Sequence, residues 1–354
     1  MKGLILSGGK GTRLRPLTYT AAKQLVPVAN KPVLFYAIDD LVSAGITDIG
    51  IIVGDTAAQI RAAVGDGSRF GARVTYIPQD RPGGLAHAVG TARAFLGQDR
   101  FVMYLGDNFI REGIAPLVEA FAAGDANARI LLYRVPNPQN LGVAVLDGDR
   151  VARLVEKPRE FVSDLAIVGV YMFDEHIFEA VDGIVPSARG ELEITDAIQW
   201  LLDHGYRVEP HVLEGHWIDT GKMEDMLEAN RLVLEVLKPR VAGTVDDLSR
   251  LTGMVVIEEG AEIRNSVLRG PLIIGAHTQV IDSYVGPFSA IDHHCLLEGI
   301  EIANSIVLEY SRITDIEHRI EDSLIGRYAE VKRSPAKPRA YKLLLGDHSK
   351  VVVL

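Results

Sequence analysis

The residues with the clearest chemical purpose are Ser7-Gly8-Gly9-Lys10-Gly11-Thr12-Arg13-Leu14-Arg15-Pro16-Leu17-Thr18, directly after the first apolar stretch. Glycines let backbone N–H groups close around an anion, and Arg13 adds a planar, permanently charged donor fork. Phosphate binding is the chemistry these types suit. Two familiar fingerprints do not fit. Lys10 is followed by Gly11 rather than by the Ser or Thr of a P-loop, and Arg13 and Pro16 interrupt the helix that a dinucleotide motif would open. A phosphate loop of another type is expected.

Further along, Gln79-x-x-Pro82-x-Gly84-Leu85-Ala86-x-Ala88 offers an amide with donor and acceptor together, suited to the edge of a pyrimidine. Leu105-Gly106-Asp107-Asn108 ends an apolar run with a carboxylate, and Trp217-Ile218-Asp219-Thr220-Gly221 places a second beside an aromatic ring. Few, hard oxygen ligands suit Mg²⁺ when phosphates supply the rest of its shell. Taken alone, a strand-end aspartate such as Asp107 is more often a turn or cap residue.

These segments need a scaffold. At 354 residues the chain exceeds the span of one usual core, so two domains are expected, 1–240 and 241–354. Apolar content of 47% and charged content of 24% are those of a soluble globular protein. A formal charge of −10 argues against a nucleic-acid partner, and no apolar run is long enough to span a membrane or serve as a signal peptide. A reducing cytoplasm fits the single cysteine, Cys295, which is expected to be a small buried residue.

Apolar runs at 4–6, 49–53, 74–77 and 101–105 read as buried strands, with helical spacing at 32–44, 57–64, 85–95 and 224–237. Strand–helix alternation predicts an α/β, Rossmann-like mixed and mainly parallel sheet, with ligands at the carboxyl ends of its strands. The loops after Leu6 and Leu105 are then the places to look.

After residue 240 the pattern repeats. Ile263 to Leu268, Val280 to Val285, Ile302 to Val307 and Ile320 to Ile325 share the form aliphatic, any residue, Asn or Asp, Ser, any residue, aliphatic. Their serines lie 17, 22 and 18 residues apart. Steps of six grouped in near-eighteens describe a three-sided coil, a left-handed parallel β-helix of the hexapeptide type. The 22-residue step implies a loop inserted near 296–301, and the tail implies a connector at 332–342 to a last strand at 350–354.

Gly8-Gly9-x-Gly11-Thr12-Arg13-Leu14-x-Pro16-Leu17-Thr18, followed by Lys23-x-x-x-Pro27-Val28-x-x-Lys31-Pro32, resembles the triphosphate motif of the sugar-1-phosphate nucleotidyltransferases. The likeness runs through several motifs from residue 1 to about 222. Its nearest branch is the long-form glucose-1-phosphate thymidylyltransferases, which carry such a β-helix.

The resemblance implies roles residue by residue. Gly8, Gly9, Gly11, Thr12, Arg13, Lys23, Gln79, Gly84 and Asp107 would bind the nucleotide. Asn108, Gly142, Glu156, Lys157, Val168, Tyr171 and Arg189 would bind the sugar phosphate, with Arg13 and Lys157 catalytic. Asp107 and Asp219 would grip Mg²⁺. Glu191, Glu193 and Asp196, in Arg189-Gly190-Glu191-Leu192-Glu193-Ile194-Thr195-Asp196, also read as an ordinary acidic helix start.

One departure is Gln139-Asn140-Leu141 before Gly142, where short-form relatives carry Arg and an aromatic residue. The implied activity is transfer of a nucleotidyl group from dTTP, with UTP as an alternative, to glucose 1-phosphate, releasing pyrophosphate, in a cytoplasmic homo-oligomer. The rivals are another nucleoside triphosphate on the same scaffold, an acetyltransferase in the coil using His293 and His294, and a silent regulatory subunit.

Overall fold

The structure is a computed structural model that describes every residue except 10, 335, 336, 338–340, 342, 353 and 354. It divides into two compact units. The first takes Met1–Lys10, Ala21–Leu25 and Val33–Asp219; the second takes Gly11–Thr20, Val26–Pro32 and Thr220–Leu354. Two pieces of the N-terminal motif and the helix after residue 222 therefore group with the repeat, so the units interleave along the sequence.

In chain order the strands before the repeat are β1 (Lys2–Leu6), β2 (Pro27–Val28), β3 (Lys31–Pro32), β4 (Asp48–Val53), β5 (Arg73–Pro78), β6 (Phe101–Leu105) and β7 (Asn108–Ile110). They continue as β8 (Ala128–Arg134), β9 (Gly142–Asp147), β10 (Arg150–Glu156), β11 (Leu165–Phe173), β12 (Val208–Val212) and β13 (Trp217–Asp219). The helices are α1 (Val33–Ser43), α2 (Ala57–Val64), α3 (Leu85–Thr91), α4 (Arg93–Leu96), α5 (Ala115–Ala123), α6 (Ile177–Gly183), α7 (Ile194–Asp203) and α8 (Met223–Leu234).

The first unit is built on a nine-stranded sheet of order β10-β9-β11-β6-β1-β4-β5, with β8 joining β11 to β12. Its β5-β4-β1-β6 half is parallel, the half that strand–helix alternation predicts. Beyond β6 it turns antiparallel, because β11 runs against β6 and β9-β10 is a hairpin. Leu4 and Leu6 point into one core and Ile5 into the other, so β1 is covered on both faces.

α1 buries Val33, Leu34, Ala37, Ile38 and Leu41, a stripe at helical spacing that covers one of these cores. The segment expected as one helix over 85–95 is two. Thr91 Oγ1 turns back to the His87 carbonyl at 2.8 Å, and Ala92 leaves helical geometry between α3 and α4. Leu6 lies beside both Ile52 and Leu105, so the carboxyl ends of β1, β4 and β6 open on one edge. The chain leaves β1 for β4 on one side and returns to β6 on the other, a switch point where α/β sheets hold ligands.

The second unit carries a parallel β-helix of the left-handed hexapeptide type. Its three sheets stack aliphatic residues coil over coil: Ile257, Ile274, Ile291, Val307, Ile325 on one face, and Ile263, Val280, Leu297, Ile313, Val331 on the next. The third stacks Leu268, Val285 and Ile302, with Ile320 bridging to Ile302. Coils begin at Arg240, earlier than the Asn/Asp-Ser motif signals.

The motif is a corner. Asn265, Asp282, Asn304 and Asp322 adopt positive φ of 41° to 49°, a region their short polar side chains tolerate. Each of Ser266 and Ser283 bonds backward to the carbonyl two residues before it, and its Oγ accepts the N–H of the coil above, Ser283 N at 3.1 Å and Ile300 N at 3.2 Å.

The loop expected at 296–301 is absent. Leu296–Glu298 and Glu301–Ile302 are regular strands paired with Gln279–Ile281 and Tyr284–Val285. The long step arises because the first two motif copies close one corner of the triangle and the last two close the next. Cys295 is buried, as expected, and burial pushes its thiol pKa up to about 12. Residues 350–352 form no strand, and 353–354 lie outside the described residues, as does Lys10 of the glycine loop. Among the described residues no helix is long and apolar enough to cross a membrane.

Candidate active site

In the first unit, β1 ends at Leu6, and Ser7, Gly8 and Gly9 follow at the open edge; Ser7 N bonds the Ile52 carbonyl at 3.0 Å. Next to it β6 ends, Gly106 N bonds the Leu6 carbonyl at 2.9 Å, and Asp107 follows. A Cβ on Gly106 would sit 3.1 Å from that carbonyl, so the two parallel strands approach closely where they end.

The chain then turns into β7, which pairs antiparallel with β13 so that Asp219 lies opposite Asn108. This pairing brings together two carboxylates far apart in sequence. Both meet Lys23: its ammonium bonds Asp107 Oδ2 and lies 3.6 Å from Asp219 Oδ1. Lys23 is buried, while both acids are partly open.

Asn108 is fully inside. Its Oδ1 accepts from Trp217 Nε1 at 2.6 Å and Gly169 N at 3.2 Å, and its Nδ2 donates to Asp107 Oδ1 at 3.1 Å. A Cβ on Gly169 would lie 2.5 Å from that oxygen. Asn108 was expected at the sugar phosphate; its observed contacts brace Asp107 and tie β7 to β11 and β13.

A second group gathers where β10 ends. Gly142 pairs with Glu156, and a Cβ there would stand 2.9 Å from Thr195 Oγ1 and 3.0 Å from Glu156 Oε2. Glu156 Oε2 accepts from Thr195 Oγ1 at 2.7 Å, and Oε1 from Arg189 Nη2 at 3.1 Å. Arg189 also meets Glu193 at 2.8 Å and Glu191 at 3.6 Å.

Lys157 follows in a left-handed conformation, φ 42°, its N–H bonded to Leu141 O at 3.1 Å and its ammonium 3.5 Å from Glu156 Oε1. Burial raises the Asp196 carboxyl above its usual range, with the charges of Glu193 and Glu156 adding to it. Asp196 sits in the first turn of α7 and Glu193 stands at its N-cap position without a side-chain cap, which matches the acidic helix start. Val168 and Tyr171, expected beside the sugar, are core residues: the Tyr171 ring is buried and stacks on Phe173 at 6.0 Å, its phenol pKa driven up by burial and then by Glu156.

A third group holds Gln79. Its side-chain Oε1 lies 3.4 Å from where a Gly8 Cβ would be, and its Nε2 faces His87 Nδ1 at 2.9 Å and Gly84 O at 3.4 Å. Gly84 has φ 101°, and a Cβ there would strike Leu192 O at 2.4 Å. Leu192 O also accepts from Ala86 N, and Leu192 N donates to Gly83 O, so the Gln79 loop is laced to the Arg189–Asp196 stretch.

The remaining motif residues belong to the second unit. Gly11 has φ 60° and opens a short turn, Thr12–Leu14, while Thr18 Oγ1 closes back on Gly11 O at 2.6 Å. Arg13 acts electrostatically on Asp225 of α8, whose carboxyl is raised chiefly by burial. Thr195, Glu193, Ser187 and His87 contribute contacts that sequence reasoning did not assign. Thr195 and Glu193 lie inside a motif it quoted, whereas His87 carried no signal beyond falling three residues after Gly84.

A model of the family described as nucleotidyl transferase matches residues 2–236. The chain belongs to the nucleotidyl transferase family. Within it, the chain is 56% identical over 354 residues to the glucose-1-phosphate thymidylyltransferase of Streptomyces griseus, covering 100% of this chain and 99% of that one. It is 49% identical over 356 residues to the low-salt glycan biosynthesis nucleotidyltransferase of Haloferax volcanii, covering 99% of each. A solved Bacillus anthracis structure, assigned as a glucose-1-phosphate thymidylyltransferase and bound to a sucrose, is similar at TM-score 0.63 and 38% identity over 68% of this chain and 98% of that one. Nucleotidyl transferases generally use a divalent metal. The carboxylates of Asp107 and Asp219, which converge on one cationic point, are a donor set that fits such an ion.

Proposed function

We propose that the protein transfers a thymidylyl group from dTTP to glucose 1-phosphate, giving dTDP-glucose and pyrophosphate, in the cytoplasm and as a homo-oligomer. The observation that carries the chemistry is the meeting of Asp107, Asp219 and Lys23 at the switch point of the sheet. The choice of substrates is supported by full-length identity with a glucose-1-phosphate thymidylyltransferase.

A sugar phosphate is already a nucleophile, so no general base is required; the barrier lies in bringing two polyanions together and dispersing charge at the α-phosphorus. Gly8, Gly9, Gly11, Thr12, Arg13 and Lys23 receive the triphosphate, and Gln79 and Gly84 receive the base. Lys157 and Arg189 offer cations to the sugar phosphate, beside Glu156, which can accept from hydroxyls; Asn108, Gly142, Val168 and Tyr171 shape that side. Arg13 and Lys157 stabilise charge during the in-line displacement. Asp107 and Asp219 would hold Mg²⁺, which when bound neutralises phosphate charge.

Thymine and uracil differ by one methyl group, worth only about 1–3 kcal/mol in a pocket. UTP is therefore a secondary substrate. Pyrophosphate release measured with glucose 1-phosphate across dTTP, UTP, ATP and GTP tests the reading. A purine nucleotide used faster than dTTP and UTP overturns it.

A further inference from the structure

Gln79 is held on its amide nitrogen side. Nε2 faces two atoms, the Gly84 carbonyl at 3.4 Å and His87 Nδ1 at 2.9 Å. A carbonyl can only accept, so the neighbouring amide atom must be the NH₂ group, and His87 Nδ1 must then be the bare, accepting nitrogen of a neutral ring. The ring proton is left on Nε2, where Asp80 Oδ1 stands 3.6 Å away. A carboxylate on that side favours this tautomer. The chain of polarity runs Asp80, His87, Gln79, and among the described residues it ends on Gln79 Oε1, turned toward Gly8. Gly83 makes room for the ring, since a Cβ there would sit 2.7 Å from His87 Cγ.

An oxygen presented in this way can only accept. Thymine and uracil carry an N3–H donor, whereas N3 of cytosine is itself an acceptor. We infer that His87, oriented by Asp80, is a positioning residue that fixes the Gln79 amide with its oxygen toward the base and so excludes cytosine nucleotides. The inference rests on the reading that Gln79 faces the base.

The test uses the full-length protein, glucose 1-phosphate, and dTTP or dCTP, with initial rates of pyrophosphate release and circular dichroism as a control on folding. In H87A, KM for dTTP should rise about tenfold with kcat little changed, and the dTTP-to-dCTP ratio of kcat/KM should fall about tenfold. H87Q can still accept through its own amide oxygen and should restore both values. H87R offers donors only, which opposes the Gln79 NH₂ group held by the Gly84 carbonyl, and should lower the ratio further.

Folded H87A with unchanged KM and unchanged ratio overturns the inference, as does H87Q behaving like H87A. Wild-type protein that turns over neither dTTP nor UTP overturns the functional reading and this inference with it. Normal wild-type turnover with indifferent His87 variants overturns the inference alone.

Discussion

The β-helix corners and the strand-end site solve the same problem, placing polar side chains against backbone, in opposite ways. At a corner, Ser266 meets Ser283 because one sits a single coil below the other, and the same bond returns between Ser305 and Ser323. At the strand ends each contact occurs once. Asp107 reaches Asp219 only because β7 finds β13, and Glu156 reaches Thr195 only because α7 starts where β10 stops. Repetition spreads a loss over neighbours; a single-use site concentrates it.

That contrast breaks most readily at the paired acids. Asp107→Asn or Asp219→Asn should lower kcat by at least about a hundredfold with an unchanged thermal transition. Turnover near wild type at ordinary Mg²⁺ would remove the metal assignment. In the coil the effect should fall on stability. Leu297 is fully buried between Val280 and Ile313, and Leu297→Ala should cost about 2–4 kcal/mol in urea unfolding of the second unit. A loss below about 1 kcal/mol would mean that the coil collapses around the gap.

Asp292 sharpens the comparison, since it is a titrating group in the repeat with no part in the chemistry proposed. Burial, reinforced by Glu309 and Glu258 against the His293 N–H and charge, pushes its carboxyl up to about 6. The folded state therefore holds this proton more tightly than the unfolded chain does. Stability present below pH 3.8 should be lost as pH rises through about 6, by about 3 kcal/mol. Asp292→Asn should lack that slope when its thermal transitions are compared with wild type between pH 4 and 7. Parallel pH profiles would show that the carboxyl is not raised.

The smallest expected effect is at Lys157, a partly exposed cation already beside Glu156. Lys157→Ala should raise KM for glucose 1-phosphate about tenfold and spare that for dTTP. Unaltered kinetics for both substrates would leave Lys157 without a role on the sugar side.

What could be read in the sequence follows the same division. The strand at 101–105 and the helix at 57–64 stand as expected, because local periodicity determines them. The coil was legible from its Asn/Asp-Ser corners, yet its phase was not: the same turn chemistry serves two corners, and spacing alone reads a change of corner as an inserted loop. The site residues were legible as types near strand ends, but their partners were not. Asn108 and Tyr171 read as ligands in sequence; Asn108 is buried because Trp217 comes from elsewhere in the chain, and Tyr171 because the whole of β11 is buried. His87 facing Gln79 is a contact over eight residues, across a loop and helix start, that no residue pattern announces.

The interleaving of the second unit bears on how such a protein can be shortened or fused. Asn230, fully buried on α8, accepts from Ala29 N at 2.9 Å and donates to Phe288 O at 2.8 Å, and Asn30 donates to Ile291 O at 2.8 Å. The β2-β3 hairpin of the N-terminal motif is thus seated on coil backbone. Cutting the chain at residue 240 would take Phe288 from Asn230 and Ile291 from Asn30. The hairpin, α8 and the coil form one hydrogen-bonded unit assembled from separate stretches of sequence, so no single cut along the chain separates them cleanly.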